Sequence, residues 1–307
     1  MVRAADGNAA MGHIPVELDL FTGGRVATTV TNNEGEFSFI NLNADTYEIV
    51  VDEEGYQPLR QSVQVTRMSS AQTVAVYLRR AQGNISSPGP AKISAQELAL
   101  PEDVDKDYQQ GITELYQKHD WEASLRLFAR VITKAPNFYR AYYHTGVADR
   151  KLGRDEAAEM ALKRAVELSD GRYGGLLVEL ASLLVDEKKF TEAEKMARQG
   201  LTVWPGYWTA NYELARALMG QRREAEAEKS MQEAVTSHPD IPKAYLFLAN
   251  IHINRKDKAS LVKDLDNYLR LVPAGPQSDK AREMRDQAMK DLAQAKSGPS
   301  APTSPQL

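Results

Sequence analysis

The spacing of apolar residues changes partway along the chain. Between residues 14 and 78, apolar and polar residues alternate, which is the period of half-buried β-strands. From residue 105 onward, apolar residues recur every three or four positions, which is the period of amphipathic helices. This change predicts a multidomain protein with an N-terminal all-β sandwich followed by an all-α solenoid.

Six short strands are predicted in the first part, separated by clusters of Gly, Asn, Asp and Ser. They are expected near residues 14–20, 26–30, 37–39, 47–51, 63–65 and 74–78. The β-sandwich is therefore expected to span residues 1–83. Residues 84–104, rich in Gly, Pro and Ser, form the predicted linker, because this composition supports neither a helix nor a central strand.

A unit of about 34 residues then recurs five times. The repeats are expected at residues 105–138, 139–173, 174–207, 208–241 and 242–275 of the predicted array 105–275. Small residues recur in the second helix of a unit, as at Ala158 and Ala227, where two helices must approach closely. Residues 276–296 are predicted to be a capping helix, and residues 297–307, with three prolines, a disordered tail.

These units resemble tetratricopeptide repeats, which implies stacked helix pairs and protein or peptide partners. The β part carries a T-x-x-x-G-x-F-x-F motif at Thr31, Gly35, Phe37 and Phe39, followed by Tyr47. It resembles the carboxypeptidase regulatory-like domain, with a truncated first strand. That resemblance implies a transthyretin-like or starch-binding-like sandwich without catalytic residues, often in bacterial secreted or periplasmic proteins. Residues 1–10 contain no apolar segment of the signal-peptide kind, so a periplasmic or secreted location follows from the resemblance alone.

Composition narrows the class of protein further. The chain has 307 residues, of which 42% are hydrophobic and 26% charged, and its net charge of −4 lacks the basic excess expected of a nucleic-acid binder. The absence of cysteine excludes disulfides, thiolate metal sites and cysteine nucleophiles. No apolar run approaches the ~18 residues that a membrane span needs. We therefore expect no nucleic-acid partner and no membrane span.

No catalytic constellation is apparent. The five histidines are scattered through different units, and surface or packing roles are expected for His144 and His252, which fall in first helices. Carboxylates of the second helices are expected on solvated faces; they are Glu192, Glu194, Glu224, Glu226 and Glu228. We therefore expect a non-enzymatic protein with no metal site and no cofactor.

Binding is expected on the first helices of the repeats. Positions 2, 5, 9 and 12 of each repeat should form one continuous concave wall. The candidate partner-binding residues on it are Tyr116, Tyr143, Val147, Arg150, Val178, Tyr212, Arg216, Met219, Leu246 and Asn250. The wall suits a peptide or an amphipathic helix, although part of it could instead pack on the cap, the linker or the β domain.

The leading prediction is a protein–protein interaction scaffold that binds its partner in this groove. The alternative is a carbohydrate- or cell-envelope-binding module, in which the sandwich holds the ligand and the helices act as a spacer. A sugar platform needs exposed aromatic rings, for which Phe21, Tyr56 and Tyr77 are the candidates.

Overall fold

The computed structural model describes residues 1–4, 14–20, 25–32, 34–40, 42–51, 56, 59–66, 73–79 and 100–296. A β part comes first and a helical array follows, as the change of apolar period predicted. The chain packs as two compact units, Met1–Pro205 (unit 1) and Gly206–Leu307 (unit 2). Unit 1 therefore contains the β part together with the first three predicted repeats.

The β part consists of two sheets that share one apolar core. Its strands are β1 Val2–Ala4, β2 Pro15–Leu20, β3 Arg25–Val30, β4 Asp45–Val51, β5 Leu59–Val65 and β6 Val76–Leu78. Strands β3, β2, β4 and β5 form an antiparallel sheet in that order, and β1 pairs with β6 in parallel. Alternate residues of these strands are buried, including Val16, Leu18, Ile49 and Val76.

One predicted strand is absent, and the first strand is short. Residues 36–40 form no strand, although Phe37 and Phe39 are half-buried against the core and their rings meet edge to face at 5.9 Å. The alternation of these phenylalanines reports which side chains are buried, not whether the backbone pairs with a neighbour. Strand β1 has three residues and lies where the resemblance indicated a truncated first strand.

The described part of the array contains eleven α-helices and one π-helical turn. Their bounds are α1 Glu102–Thr113, the π-helical turn Glu114–Lys118, α2 Trp121–Lys134, α3 Tyr139–Lys151, α4 Asp155–Leu168, α5 Gly174–Asp186, α6 Phe190–Val203, α7 Trp208–Gly220, α8 Glu224–Ser237, α9 Pro242–Asn254, α10 Lys258–Leu271 and α11 Pro276–Lys296. Helix α1 begins directly after Pro101, and the acidic Glu102 and Asp103 in its first turn favour a start there. Residues 84–99 of the predicted linker and the predicted tail lie outside the described residues.

Small residues allow the two helices of a repeat to cross closely. Ala158 and Ala227 are completely buried on the second helices α4 and α8. On the first helix α3, a Cβ atom added to Gly146 would lie only 2.6 Å from Cγ of Leu162. No larger side chain fits at these crossings without displacing a neighbour.

A left-handed residue joins the two helices within each predicted repeat. The φ angles at this position are 57° at His119, 71° at Gly153, 62° at Lys188, 62° at Arg222 and 59° at Lys256. Glycine is the residue that adopts this conformation without steric cost. Four of the five turns use another residue instead. At Lys188, Arg222 and Lys256 the residue is positively charged and lies near the carboxyl end of the preceding helix, where the helix dipole favours a cation.

Candidate protein-binding wall

In unit 1, the β part packs on the first helix of the array. Strand β3 contacts α1 and the π-helical turn, and Val30 is buried in the same apolar cluster as Tyr108. The side-chain amide of Gln109, at a predicted wall position, donates a hydrogen bond to the carbonyl oxygen of Thr31 over 3.4 Å. Part of the predicted wall is therefore covered by the protein's own sandwich, which was the alternative to an open groove.

Two wall tyrosines of unit 1, Tyr116 and Tyr143, are half-buried around His144. The hydroxyl of Tyr116 lies 3.1 Å from Nδ1 of His144, and the hydroxyl of Tyr108 lies 3.1 Å from Nε2. The His144 ring also stacks on Phe128, with 5.7 Å between ring centroids. Burial in this cage lowers the pKa of His144 to about 3, so its ring is neutral at neutral pH. His144 therefore packs inside unit 1.

The remaining wall candidates of unit 1 are also engaged within the chain. Val147 is only 8% exposed because it belongs to the apolar cluster that contains Val30. The Arg150 guanidinium donates to Glu179 at 2.7 Å, to Oγ of Ser182 at 3.0 Å and to Asp186 at 2.5 Å. Val147 is therefore covered within unit 1, whereas Arg150 is half-buried and held in ion pairs. Val178 is half-buried on α5.

The wall residues of unit 2 are more accessible. Tyr212, Arg216 and Met219 on α7 and Leu246 on α9 are half-buried, whereas Asn250 and Ile253 on α9 are exposed. We call these six residues and Lys243 the unit 2 wall. The Arg216 guanidinium donates to Glu213 on the same helix over 2.8 Å, which balances its charge locally.

A second buried histidine lies behind the unit 2 wall, between two carboxylates. Nδ1 of His252 lies 2.6 Å from Asp264 and Nε2 lies 3.1 Å from Glu228, so the histidine links α9 to α10 and α8. Burial raises the pKa of Asp264, although the neighbouring His252 opposes this shift. Glu228, expected on a solvated face, is half-buried and also paired with Arg255.

The sequence offered one signal for this network. Asp264 interrupts the apolar face of α10 between Leu261 and Leu265, which are both buried. A carboxyl group on such a face needs a polar partner, and a histidine on the preceding helix can supply it. Among the residues that the structure describes, no group of three or more His, Asp or Glu side chains could hold a metal ion.

The three candidate aromatic rings of the sandwich do not form a described platform. Phe21 lies outside the described residues. Tyr56 packs against the sandwich core, whereas Tyr77 on β6 is 48% exposed. Of the two candidates that the structure describes, Tyr77 alone has an exposed ring.

Comparison with known families agrees with both halves of this fold. The tetratricopeptide repeat family matches residues 110–173, 178–242 and 212–278, which together make up more than half of the chain. The carboxypeptidase regulatory-like domain matches residues 1–79. The chain therefore belongs to the tetratricopeptide repeat family and carries an N-terminal carboxypeptidase regulatory-like domain. This places it among protein–protein interaction scaffolds.

Solved structures share the fold at low sequence identity. A "MamA RS-1 ArsTM double mutant" is 18% identical with a TM-score of 0.53, covering 57% of this chain and 97% of its own. Pseudomonas aeruginosa pilF is 16% identical with a TM-score of 0.53, covering 64% and 94%. PilW, a type IV pilus biogenesis factor, is 13% identical with a TM-score of 0.54, covering 65% and 94%.

No curated protein matches this chain. Among the described helices, none combines the length and apolar character needed to cross a membrane.

Proposed function

We propose that this protein is a non-enzymatic scaffold that binds a protein partner through the unit 2 wall. The observation that carries the proposal is the accessible apolar surface at Tyr212, Met219, Leu246 and Ile253. Ile253 is 37% exposed, and the other three side chains are half-buried on the same wall. An apolar strip of this kind is typical of a surface that a partner covers.

The contrast with unit 1 supports this location. Its corresponding positions are covered by the sandwich or held in ion pairs, as Gln109 and Arg150 show. A partner would have to break these contacts before it could bind there. In the unit 2 wall, Asn250 and Ile253 are exposed, and we therefore propose Tyr212, Arg216, Met219, Leu246 and Asn250 as the binding residues.

Peptide selection followed by titration tests the proposal. Peptides selected from a displayed library against the full chain would be synthesised and titrated by calorimetry. Truncating Leu246 to Ala should weaken binding about tenfold, because a half-buried apolar contact in the middle of the wall is lost.

Glu226→Ala is the matched control. Glu226 is exposed on the second helix α8 and pairs with Arg223 of the adjoining turn. Its removal should change affinity less than twofold, since an exposed ion pair contributes little. Selected peptides that bind Leu246→Ala as tightly as the parent would place the binding surface elsewhere and contradict the proposal.

A further inference from the structure

Helix α11 has the register of a sixth first helix. It begins at Pro276, 34 positions after Pro242, the first residue of α9. It packs on α10, the second helix of the fifth predicted repeat. Proline at the first position suits a helix start, because the amide hydrogen it lacks would have no partner within the helix.

Burial on α11 agrees with this register at one position. Ser278, Ala281 and Ala288 are buried; Ser278 matches the buried Ala244 of α9, whereas Ala288 matches the exposed Asn254. The side on which a first helix normally packs against its own second helix is polar in α11. Its residues are Asp279, Arg282, Glu283 and Asp286.

Besides its buried side and its polar side, α11 has a side that continues the unit 2 wall. In the 34-residue register, Lys280 follows Leu246, Met284 follows Asn250 and Gln287 follows Ile253. Met284 is 42% exposed, and thus two of the exposed large apolar side chains in the described chain, Ile253 and Met284, occupy wall positions. The apolar strip therefore has members on three first helices.

Unpaired positive charge borders this strip. Lys243 and Lys280 are exposed, and neither ammonium group is paired with a carboxylate among the described residues. The Arg216 charge is balanced by Glu213. Acidic groups on a partner would therefore find two lysines whose charges are not already neutralised within the described part of unit 2.

We propose that α11 is part of the binding surface, and that unit 2 takes an amphipathic helix with acidic residues beside its apolar face. This inference rests on the proposed function. Leu246, Ile253 and Met284 give the wall an apolar strip that matches the apolar face of such a helix. A helix satisfies its own backbone hydrogen bonds, whereas an extended peptide would need partners for them. The lysines at the border select the acidic side chains.

Two designed peptides provide the test. Both are 18-residue helices with the same leucine face, and the positions beside that face carry Glu in one peptide and Lys in the other. Fluorescence anisotropy with the full chain should show at least tenfold tighter binding of the Glu peptide at low ionic strength. Equal affinities for the two peptides would overturn the proposal. No binding of either peptide at concentrations up to about 1 mM would overturn it as well.

Charge reversal distinguishes a specific contact of the peptide with the wall lysines from a general effect of the protein's net charge on peptide affinity. Lys243→Glu combined with Lys280→Glu should weaken the Glu peptide at least tenfold. The matched pair, Lys229→Glu with Lys263→Glu, makes the same charge change at exposed positions of the second helices α8 and α10. It should have less than a threefold effect, and equal losses from both pairs would contradict specific docking.

Two serine substitutions separate this inference from the proposed function. Met284→Ser and Leu246→Ser should each weaken the Glu peptide about fivefold or more, while thermal melts followed by circular dichroism confirm that both variants fold. If only Leu246→Ser weakens binding of the Glu peptide, the proposed function stands and the inference about α11 is contradicted. No loss with either variant would contradict both proposals.

Discussion

The walls of the two units use the same repeat positions in opposite ways. At position 9, unit 1 places Val147 in a buried cluster, whereas unit 2 places Asn250 in solvent. At position 5, Gln109 of unit 1 binds the backbone of the sandwich, whereas Leu246 of unit 2 is half-buried and packs against a cluster of its own unit. A repeat register therefore defines where a side chain lies on its helix, and the neighbouring elements decide whether that place is free.

The largest effect should come from a charge at position 9. Val147→Asp is expected to destabilise unit 1 by about 3 kcal/mol or more, because it puts an unpaired carboxylate into an apolar cluster. Asn250→Asp at the matching position of unit 2 should change stability by less than about 0.5 kcal/mol. Urea denaturation followed by circular dichroism measures both, and similar losses would mean that the two walls do not differ in burial.

Acid should destabilise unit 1 through His144. Its folded pKa of about 3 lies below the ordinary value of 6.5, so between these values the unfolded state binds a proton that the folded state does not. The free energy of unfolding should therefore fall as the pH falls through this window, by about 1.4 kcal/mol per pH unit. His144→Gln should flatten that slope in denaturation series between pH 7 and 4.

The control for this slope is a histidine of unit 2. His238 is half-buried and stacks on Trp208 with 4.9 Å between ring centroids. His238→Gln should leave the acid dependence of unit 1 unchanged. An unaltered slope in His144→Gln would show that His144 is not the group that takes up the proton.

Helix crossings should not distinguish the units. Ala158→Leu in unit 1 and Ala227→Leu in unit 2 should each cost about 1–3 kcal/mol, because both alanines are completely buried between paired helices. Denaturation midpoints measure the loss. A large loss in one unit and none in the other would show that the crossings, and not only the walls, differ between units.

The two tyrosines at position 5 should differ in how much they contribute to peptide binding. Tyr212→Ala in unit 2 should weaken a selected peptide about tenfold, or about 1.4 kcal/mol, whereas Tyr143→Ala in unit 1 should change its affinity less than twofold. Tyr143 instead packs on Tyr173 at 6.2 Å between ring centroids, so its loss should lower the melting temperature of unit 1. The opposite result in calorimetry would move the binding surface to unit 1.

The sequence predicted periodic features well because they are local. Small residues such as Ala158 identify the helix crossings, and the alternation around Ile49 identifies a half-buried strand. Contacts between distant segments left no such trace. The packing of β3 on α1 joins residues more than seventy positions apart. The apolar spacing around Val147 on its helix is the same whether Val147 faces a partner or the protein's own core.

Side-chain chemistry shows the same limit. The positions of Phe37 and Phe39 correctly indicated partial burial, yet gave no information on backbone pairing. Glu228 has the sequence surroundings of a solvated residue, and its contact with His252 depends on how α8 packs against α9.

The left-handed turn residues are positions at which the free energy of unfolding of this protein can be raised. Non-glycine residues in that conformation cost roughly 1–2 kcal/mol, so each of these turns stores strain, which the charge of a Lys or Arg residue only partly offsets. Glycine in their place would relieve the strain and so raise the free energy of unfolding. Part of this gain is lost because glycine also gives the unfolded chain more conformational freedom. His119, Lys188, Arg222 and Lys256 are therefore four independent sites at which an engineered glycine could raise thermal tolerance without touching either wall.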